Sequence, residues 1–430
     1  MTNSTLVKLP NGLTVHLKEI HTAPIISHWA WYRVGSRDDP PGLTGISHWV
    51  EHMQFKGSLN FPSGMLDKSI SREGGYWNAY THLDWTTFFE TLPAEKIDLG
   101  LRLEADRMSN SLFKEEEVES ERTVILSERE GSENEPLFRL GESVQKAAFD
   151  LHPYRNEVIG SVEDLRAIQR ADLYHHYRAH YHPANALIAV AGDFDTAALL
   201  KRLEELYGGI PAGPAVIHPA QAEPPLQAER RVEVKGPGKT TFIQIAYRSP
   251  AAASADFFAF TVLDSLLTGP TSLNMFGGGG TSNKTSRLYR ALVEKELAIG
   301  VGGGAQATID PFLYEITITV RAGQSLDAIL KTVDTEIGQL QQAQVHPDEI
   351  ARAIKQARAI FAYGSENITN QAFWLGYAEM FSSYQWFTEY MLRLEAVTPA
   401  DLQRIAAAYL LPERRVVGVY IPTGEETPEG

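Results

Sequence analysis

Ala171-Asp172-Leu173 opens a helical stretch that leads through Tyr181 and Pro183 to an apolar strand, Ala186-Leu187-Ile188-Ala189-Val190-Ala191. Near the other end Ala400-Asp401-Leu402 opens a second such stretch, leading through Tyr409 and Pro412 to Val416-Val417-Gly418-Val419-Tyr420-Ile421. The step from Leu173 to Leu402 equals the step from Pro183 to Pro412. Upstream, Glu116-Glu117-Val118 and Asp348-Glu349-Ile350 each begin a long helix, and the step between them is nearly the same. One match would carry little weight; two at nearly the same offset point to an internal duplication.

Working outward, Leu13 to Leu17 and Tyr314 to Val320 alternate apolar and polar residues as strands do, while Ser325 to Leu340 and Asp348 to Phe361 repeat with helical period. Strands followed by paired helices favour an α+β layer design over a parallel doubly wound sheet. The expected architecture is two similar α+β domains, each an antiparallel sheet with helices packed on one face. The seam lies in Gly208 to Gln227, where Pro211, Pro214, Pro219, Pro224 and Pro225 resist packing into an element. That sets the domains at 1–210 and 229–430, with a linker over 211–228.

At 430 residues the chain is too long for one ordinary core, and 43% hydrophobic with 22% charged residues is a globular composition. A net charge of −15 speaks against nucleic acid as a partner, because phosphate binding needs a basic face. With no cysteine, disulfides, thiolate nucleophiles and thiolate metal sites are excluded, so any metal takes nitrogen and oxygen ligands. No basic start with an apolar run opens the sequence, and no stretch nears the roughly 18 apolar residues of a membrane span. A cytoplasmic location with no membrane partner is the expectation.

Chemistry concentrates in Gly45-Ile-Ser-His48-Trp-Val-Glu51-His52-Met-Gln-Phe55, which reads as a helix. His48 and His52 stand four apart, so both imidazoles leave one face and can grip one ion. Glu51 shares that face and can reach a water on the ion, in the order H-x-x-E-H. Composition alone yields about 0.05 such matches in a chain of this length. An ordinary surface helix would show the histidines to solvent, yet Trp49, Val50, Met53 and Phe55 make this one largely apolar. A hydrolytic zinc site takes a third protein ligand and leaves one position open. The helix from Lys114 to Glu130 offers two candidates, Glu121 and Glu128, two turns apart on one face. Val124, Ile125 and Leu126 between them are expected to bury part of that helix and turn its carboxylates inward.

His48-Trp-Val-Glu51-His52-Met-Gln-Phe-Lys-Gly57 resembles the signature of the pitrilysin family, the inverzincin metallopeptidases that include insulysin and the mitochondrial processing peptidases. The family places its third ligand, a glutamate, at a characteristic step past the second histidine, and Glu128 stands at that step past His52. The resemblance therefore implies one Zn2+ per chain on His48, His52 and Glu128, with Glu51 as general base on zinc-bound water. Glu121 would orient the site from behind the ligands. Gly74-Gly75-Tyr76-Trp77-Asn78-Ala79-Tyr80-Thr81 resembles the family's substrate-binding edge strand, so Gly75, Tyr76, Trp77, Asn78 and Ala79 are expected to pair with substrate main chain. Similar stretches run from His152-Pro153 to Gly160 and from Tyr181 to Asp193. The implied activity is zinc-dependent endopeptidase action on peptides or unfolded segments enclosed in a chamber, with 1–210 as the zinc-binding catalytic domain and 229–430 as its metal-free homologue.

One departure stands out. Catalytic relatives carry an Arg–Tyr pair in the second half that binds substrate and stabilises the oxyanion. Here the stretch is Leu292-Val293-Glu294-Lys295-Glu296-Leu297-Ala298-Ile299, one residue shorter, with Val293 and Ile299 in those places. Neither side chain can donate a hydrogen bond. The second half is thus expected to be catalytically silent, with a related partner subunit in a heterodimer supplying the donors; a homodimer is the other arrangement. Two rival functions are a non-catalytic assembly subunit and a zinc hydrolase of another substrate class. The intact His48, Glu51, His52 and Glu128 argue against the first, and the edge-strand pattern against the second.

Two further signals are set aside. Gly277 to Lys284 lacks the glycine that a phosphate-binding loop needs directly before its lysine, and reads as a flexible loop. His175, His176, His180 and His182 have no carboxylate among them and include Arg178, so they read as a partly exposed helix end.

Overall fold

The structure, a computed structural model, describes residues 4–218, 221–273 and 282–424. Residues 277–281 of the glycine-rich stretch lie outside these. Strands β1 (Thr5–Lys8), β2 (Thr14–Glu19), β3 (Ile25–Tyr32), β4 (Tyr76–Thr81), β5 (Thr86–Pro93) and β6 (Ala186–Gly192) form one sheet, in the order β1-β2-β6-β3-β5-β4. Strands β7 (Arg230–Gly236), β8 (Phe242–Arg248), β9 (Ala298–Ala305), β10 (Leu313–Val320) and β11 (Arg415–Pro422) form the other, in the order β7-β11-β8-β10-β9. The last five strands of the first sheet match the second sheet strand for strand. Each sheet is antiparallel apart from one parallel pair, β2 with β6 and β7 with β11. The α+β class and the duplicated plan read from the sequence are therefore what the chain adopts.

The chain is less simply divided than its sequence suggests. One compact unit comprises 1–129, 156–220 and 365–384; the other comprises 130–155, 221–364 and 385–430. Helix Ile368–Phe381, encoded in the second half, belongs to the first unit, and its counterpart in the first half, Pro136–Ala148, belongs to the second. A boundary at the proline-rich seam misses this exchange.

The reason lies in the central strands. β3, Ile-Ile-Ser-His-Trp-Ala-Trp-Tyr, is buried along nearly its whole length, which requires cover on both faces. His28, Ala30 and Tyr32 look one way, where Tyr32 meets Phe88 and Tyr181. Trp29 and Trp31 look the other way, onto Phe373 and Tyr377 of helix Ile368–Phe381. Close approach is possible because residue 376 is glycine: a Cβ there would lie 2.1 Å from Trp31 Nε1. In the second unit Leu140 and Val144 of helix Pro136–Ala148 likewise close on Gly418 of β11. No helix among the described residues is long and apolar enough to cross a membrane.

His16 on β2 sits under the exchanged helix, its Nδ1 3.2 Å from the carbonyl of Leu375 and its Nε2 3.0 Å from Ser4 Oγ. Burial, with Lys18 nearby, holds its imidazole down at about 4, against 6.5 for a free histidine. Between those values the unfolded chain binds a proton that the folded one does not. Stability is full above pH 6.5 and falls as the pH drops through the window, by up to about 3 kcal/mol. We expect His16→Gln to flatten this part of the pH profile of chemical unfolding; an unchanged slope would show that His16 does not titrate there.

Candidate metal centre

Helix Ile46–Met53 begins on a built N-terminus. Gly45 takes φ = 89°, and a Cβ at this position would meet the carbonyl oxygen of Ile159 at 2.4 Å. The buried carboxyl of Asp39 accepts from Gly45 N at 2.7 Å, Ser47 N at 3.2 Å and Ser47 Oγ at 2.6 Å, satisfying donors that a helix start leaves open. Burial nevertheless pushes that carboxyl up to about 8. Ser47 Oγ also meets His176 Nε2 at 3.0 Å. His176 and His182 are buried, His180 is half-buried and His175 is exposed, in keeping with a partly exposed helix end. His180 and His182 turn to the backbone carbonyls of His176 and Ala179, each at 3.0 Å. Trp49, Val50 and Met53 are fully buried and fix the rotation of the helix.

That rotation sends His48 and His52 to one side, with their Nε2 atoms 3.2 Å apart. Helix Glu115–Glu133 supplies the carboxylates. Its buried stripe is Val118, Glu121, Ile125 and Arg129, at helical spacing; Val124, expected inside, is exposed because it lies a third of a turn off that stripe. Glu128 Oε2 lies 3.6 Å from His52 Nε2, and Glu128 Oε1 lies 3.9 Å from His48 Nε2. Among the described residues, His48, His52 and Glu128 form the one cluster whose ligand atoms all lie within 4.8 Å of each other in a manner suited to a metal ion. Tetrahedral zinc with bonds near 2.05 Å spaces its ligands roughly 3.3 Å apart, so these residues fit the ion with small adjustments.

Electrostatics favour the same occupant. Burial, with His52 beside it, lowers the His48 imidazole to about 3, so its nitrogen keeps a lone pair free for a cation. Its buried Nδ1 has no hydrogen-bond partner among the described residues. At His52 burial pulls down, but the Glu121 bond and the surrounding carboxylates outweigh it, and the net shift is upward. Glu121 Oε1 meets His52 Nδ1 at 2.8 Å, which places the tautomeric proton away from the cluster. The other oxygen of Glu121 meets the Lys56 ammonium.

Glu51 is 8% exposed and points beside the cluster. Burial raises its carboxyl to about 7, against the lowering influence of the Thr81 hydroxyl, which donates to Oε2 at 2.6 Å. Thr81 ends β4, the outermost strand of the first sheet, which among the described residues pairs with β5 alone, from Tyr76↔Thr91 to Thr81↔Thr86. The outer strand of the sheet thus runs to Glu51, with the Ala79 N–H donating to Asn78 Oδ1 at 2.8 Å along it. Of the expected substrate residues, Tyr76, Trp77, Asn78 and Ala79 lie on this strand and Gly75 precedes it. Tyr76 is exposed, whereas Trp77 turns inward onto Phe55, ring centres 4.8 Å apart. Thr81 was present in the sequence motif, but nothing in the motif says that its hydroxyl meets Glu51.

Residues 14–162 match the family description insulinase (peptidase family M16), and residues 167–357 match the peptidase M16 inactive domain. The chain belongs to peptidase family M16. An uncharacterized zinc protease of Streptomyces coelicolor is 27% identical over 420 residues, covering 95% of this chain and 88% of that protein. A zinc protease of Helicobacter pylori is 26% identical over 409 residues, covering 94% and 89%. A probable mitochondrial-processing peptidase subunit beta of Arabidopsis thaliana is 24% identical over 412 residues, covering 94% and 75%. Among solved structures, a protease from Helicobacter pylori superposes with a TM-score of 0.90 at 24% identity, covering 98% of this chain and all of that one. A peptidase M16 inactive domain from Pseudomonas fluorescens gives a TM-score of 0.87 at 18% identity, with 100% of both chains covered. These likenesses establish the M16 fold.

Within the M16 inactive-domain segment, Val293 ends a short π-helix, Tyr289–Val293, and Ile299 lies on the edge strand β9, 61% exposed. The shortened stretch turns through Glu296 at φ = 60°.

The start of the histidine helix, which only a glycine fits without strain, gives a direct check. Gly45→Ala must hold an L-residue at positive φ and push against Ile159. We expect it to lose about 2–4 kcal/mol in denaturant unfolding; a loss below about 0.5 kcal/mol would mean the helix start is not so constrained.

Proposed function

We propose that this chain is a zinc-dependent endopeptidase of peptides or unfolded segments. The observation that carries the proposal is the set of three ligand atoms suited to one zinc ion, beside a Glu51 carboxylate tied to the end of the outermost strand of the sheet. His48, His52 and Glu128 would hold the ion, leaving a coordination position open. When bound, zinc supplies a charge that acidifies water and polarises a carbonyl. An extended substrate segment pairs its main chain with β4, which recognises backbone and tolerates varied side chains. Its scissile bond is thereby brought to the Thr81 end of the strand. Glu51 takes the proton of the attacking water and delivers it to the leaving amine. Its carboxyl, raised by burial, is suited to both halves of that task near neutral pH. Thr81 holds one carboxylate oxygen, leaving the other to face the reacting water. Glu121 is a positioning residue that keeps the proton of His52 on Nδ1.

We further propose that turnover needs a related partner subunit carrying the Arg–Tyr pair, because Val293 and Ile299 offer no donor to an oxyanion. A relative named as a subunit, the probable mitochondrial-processing peptidase subunit beta, is in keeping with this. A homodimer is the competing arrangement.

Two measurements test these proposals. Glu51→Gln is expected to bind zinc one to one as the unaltered chain does, while peptide cleavage falls ~10²–10⁴-fold; cleavage at the original rate would remove Glu51 from the chemistry. Adding a co-purifying related chain should raise peptide turnover by ~10²-fold or more, the worth of an oxyanion donor. Full turnover by the purified chain alone would show that no partner is needed.

A further inference from the structure

We propose that Lys56 is a positioning residue of the metal centre, holding the outer oxygen of Glu121 so that the inner oxygen stays on His52 Nδ1. The inference rests on the zinc reading above and adds a residue to it. His52 and Lys56 stand one turn apart. The chain continues from the helix through Phe55 N to His52 O and Lys56 N to Met53 O, each 3.1 Å, before Gly57 turns it away at φ = 106°. Phe55 packs against Trp77 and Phe88, so the backbone here is fixed without help from the lysine side chain. The Lys56 ammonium contacts Glu121 Oε2, while Glu121 Oε1 lies 2.8 Å from His52 Nδ1.

A glutamate's terminal torsion is broad, and a single hydrogen bond lets the carboxylate twist away from its partner. Here the carboxylate side chain is 5% exposed, so water is in little position to steady the second oxygen. The ion pair with Lys56 on one oxygen and the Nδ1–H bond on the other hold the group in the plane that receives the Nδ1 proton. It also balances a buried negative charge that would otherwise be half paired. His52 then presents its Nε2 lone pair toward His48 and Glu128 in one orientation. Lys56 touches none of the three ligand atoms, so its influence travels through Glu121 alone.

The experiment is zinc affinity of the full chain, measured by competition with a chelator. Lys56→Met is expected to weaken zinc binding about tenfold, within the range lost when an outer partner of a metal ligand is removed. Lys56→Arg, which keeps a charged donor, should recover most of that loss. In a Glu121→Gln background Lys56→Met should change affinity by less than about twofold, since the route is already cut. Affinity unchanged by Lys56→Met, or the full tenfold loss persisting beside Glu121→Gln, would overturn the proposal. If the methionine variant does not fold, as read from its metal-free unfolding midpoint, Lys56→Gln carries the same expectation. Failure of the unaltered chain to bind zinc at all would instead overturn the zinc reading on which this rests.

Discussion

Two imidazoles whose Nε2 atoms lie 3.2 Å apart, with a carboxylate 3.6–3.9 Å from both, put three donor atoms where a single cation can bridge them. Burial holds His48 at about 3, so that ring stays unprotonated, while His52, shifted upward on balance, is the ring that carries a proton when no ion is bound. In the proposed reading a metal ion would take that proton's place, with a lone pair from each ring and one from Glu128, while Glu121 receives the Nδ1 proton of His52. Much of the surrounding structure serves to hold this convergence. Asp39 and Ser47 close the start of the histidine helix, Trp49, Val50 and Met53 lock its rotation, and Val118 and Ile125 seat the glutamate helix.

The sheet provides the second half of the arrangement. β4 hangs on β5, and β5 on β3, whose two faces are both buried. That double burial needs helix Ile368–Phe381 on the tryptophan face, and the clearance at Gly376 that admits it. An edge strand is mobile when its sheet is poorly anchored. Here the tryptophan–phenylalanine packing stiffens the sheet, and the Thr81 hydroxyl ties the strand's end to Glu51. In the proposed reading, substrate alignment and proton transfer would both be set by this one element.

How much of this the sequence disclosed follows the range of the interactions. His48, Glu51 and His52 were legible because helical spacing forces them to one face. Glu128 was one of two candidates from spacing and became the choice only through a family resemblance. The duplication was legible in matched offsets, and β6 and β11 do take the same place in their sheets. The exchange of helices Pro136–Ala148 and Ile368–Phe381 was not, because an apolar helix face does not name the sheet that it covers. The parallel pairs β2/β6 and β7/β11 were hidden for the same reason: alternation marks a strand but not its neighbour. Val124 misled because three consecutive apolar residues on a helix cannot all face inward. Thr81 and Lys56 were visible letters without visible partners; only the fold brings one to Glu51 and the other to Glu121.

The most direct measurement is anomalous X-ray diffraction at the zinc edge from crystals of the chain grown with zinc. One strong peak should lie about 2.1 Å from His48 Nε2 and His52 Nε2 and at a similar distance from a Glu128 oxygen, with Glu51 outside bonding range. A peak that leaves out either histidine, or that recruits Glu51 in place of Glu128, would contradict the assignment of ligands and base on which the proposed chemistry stands.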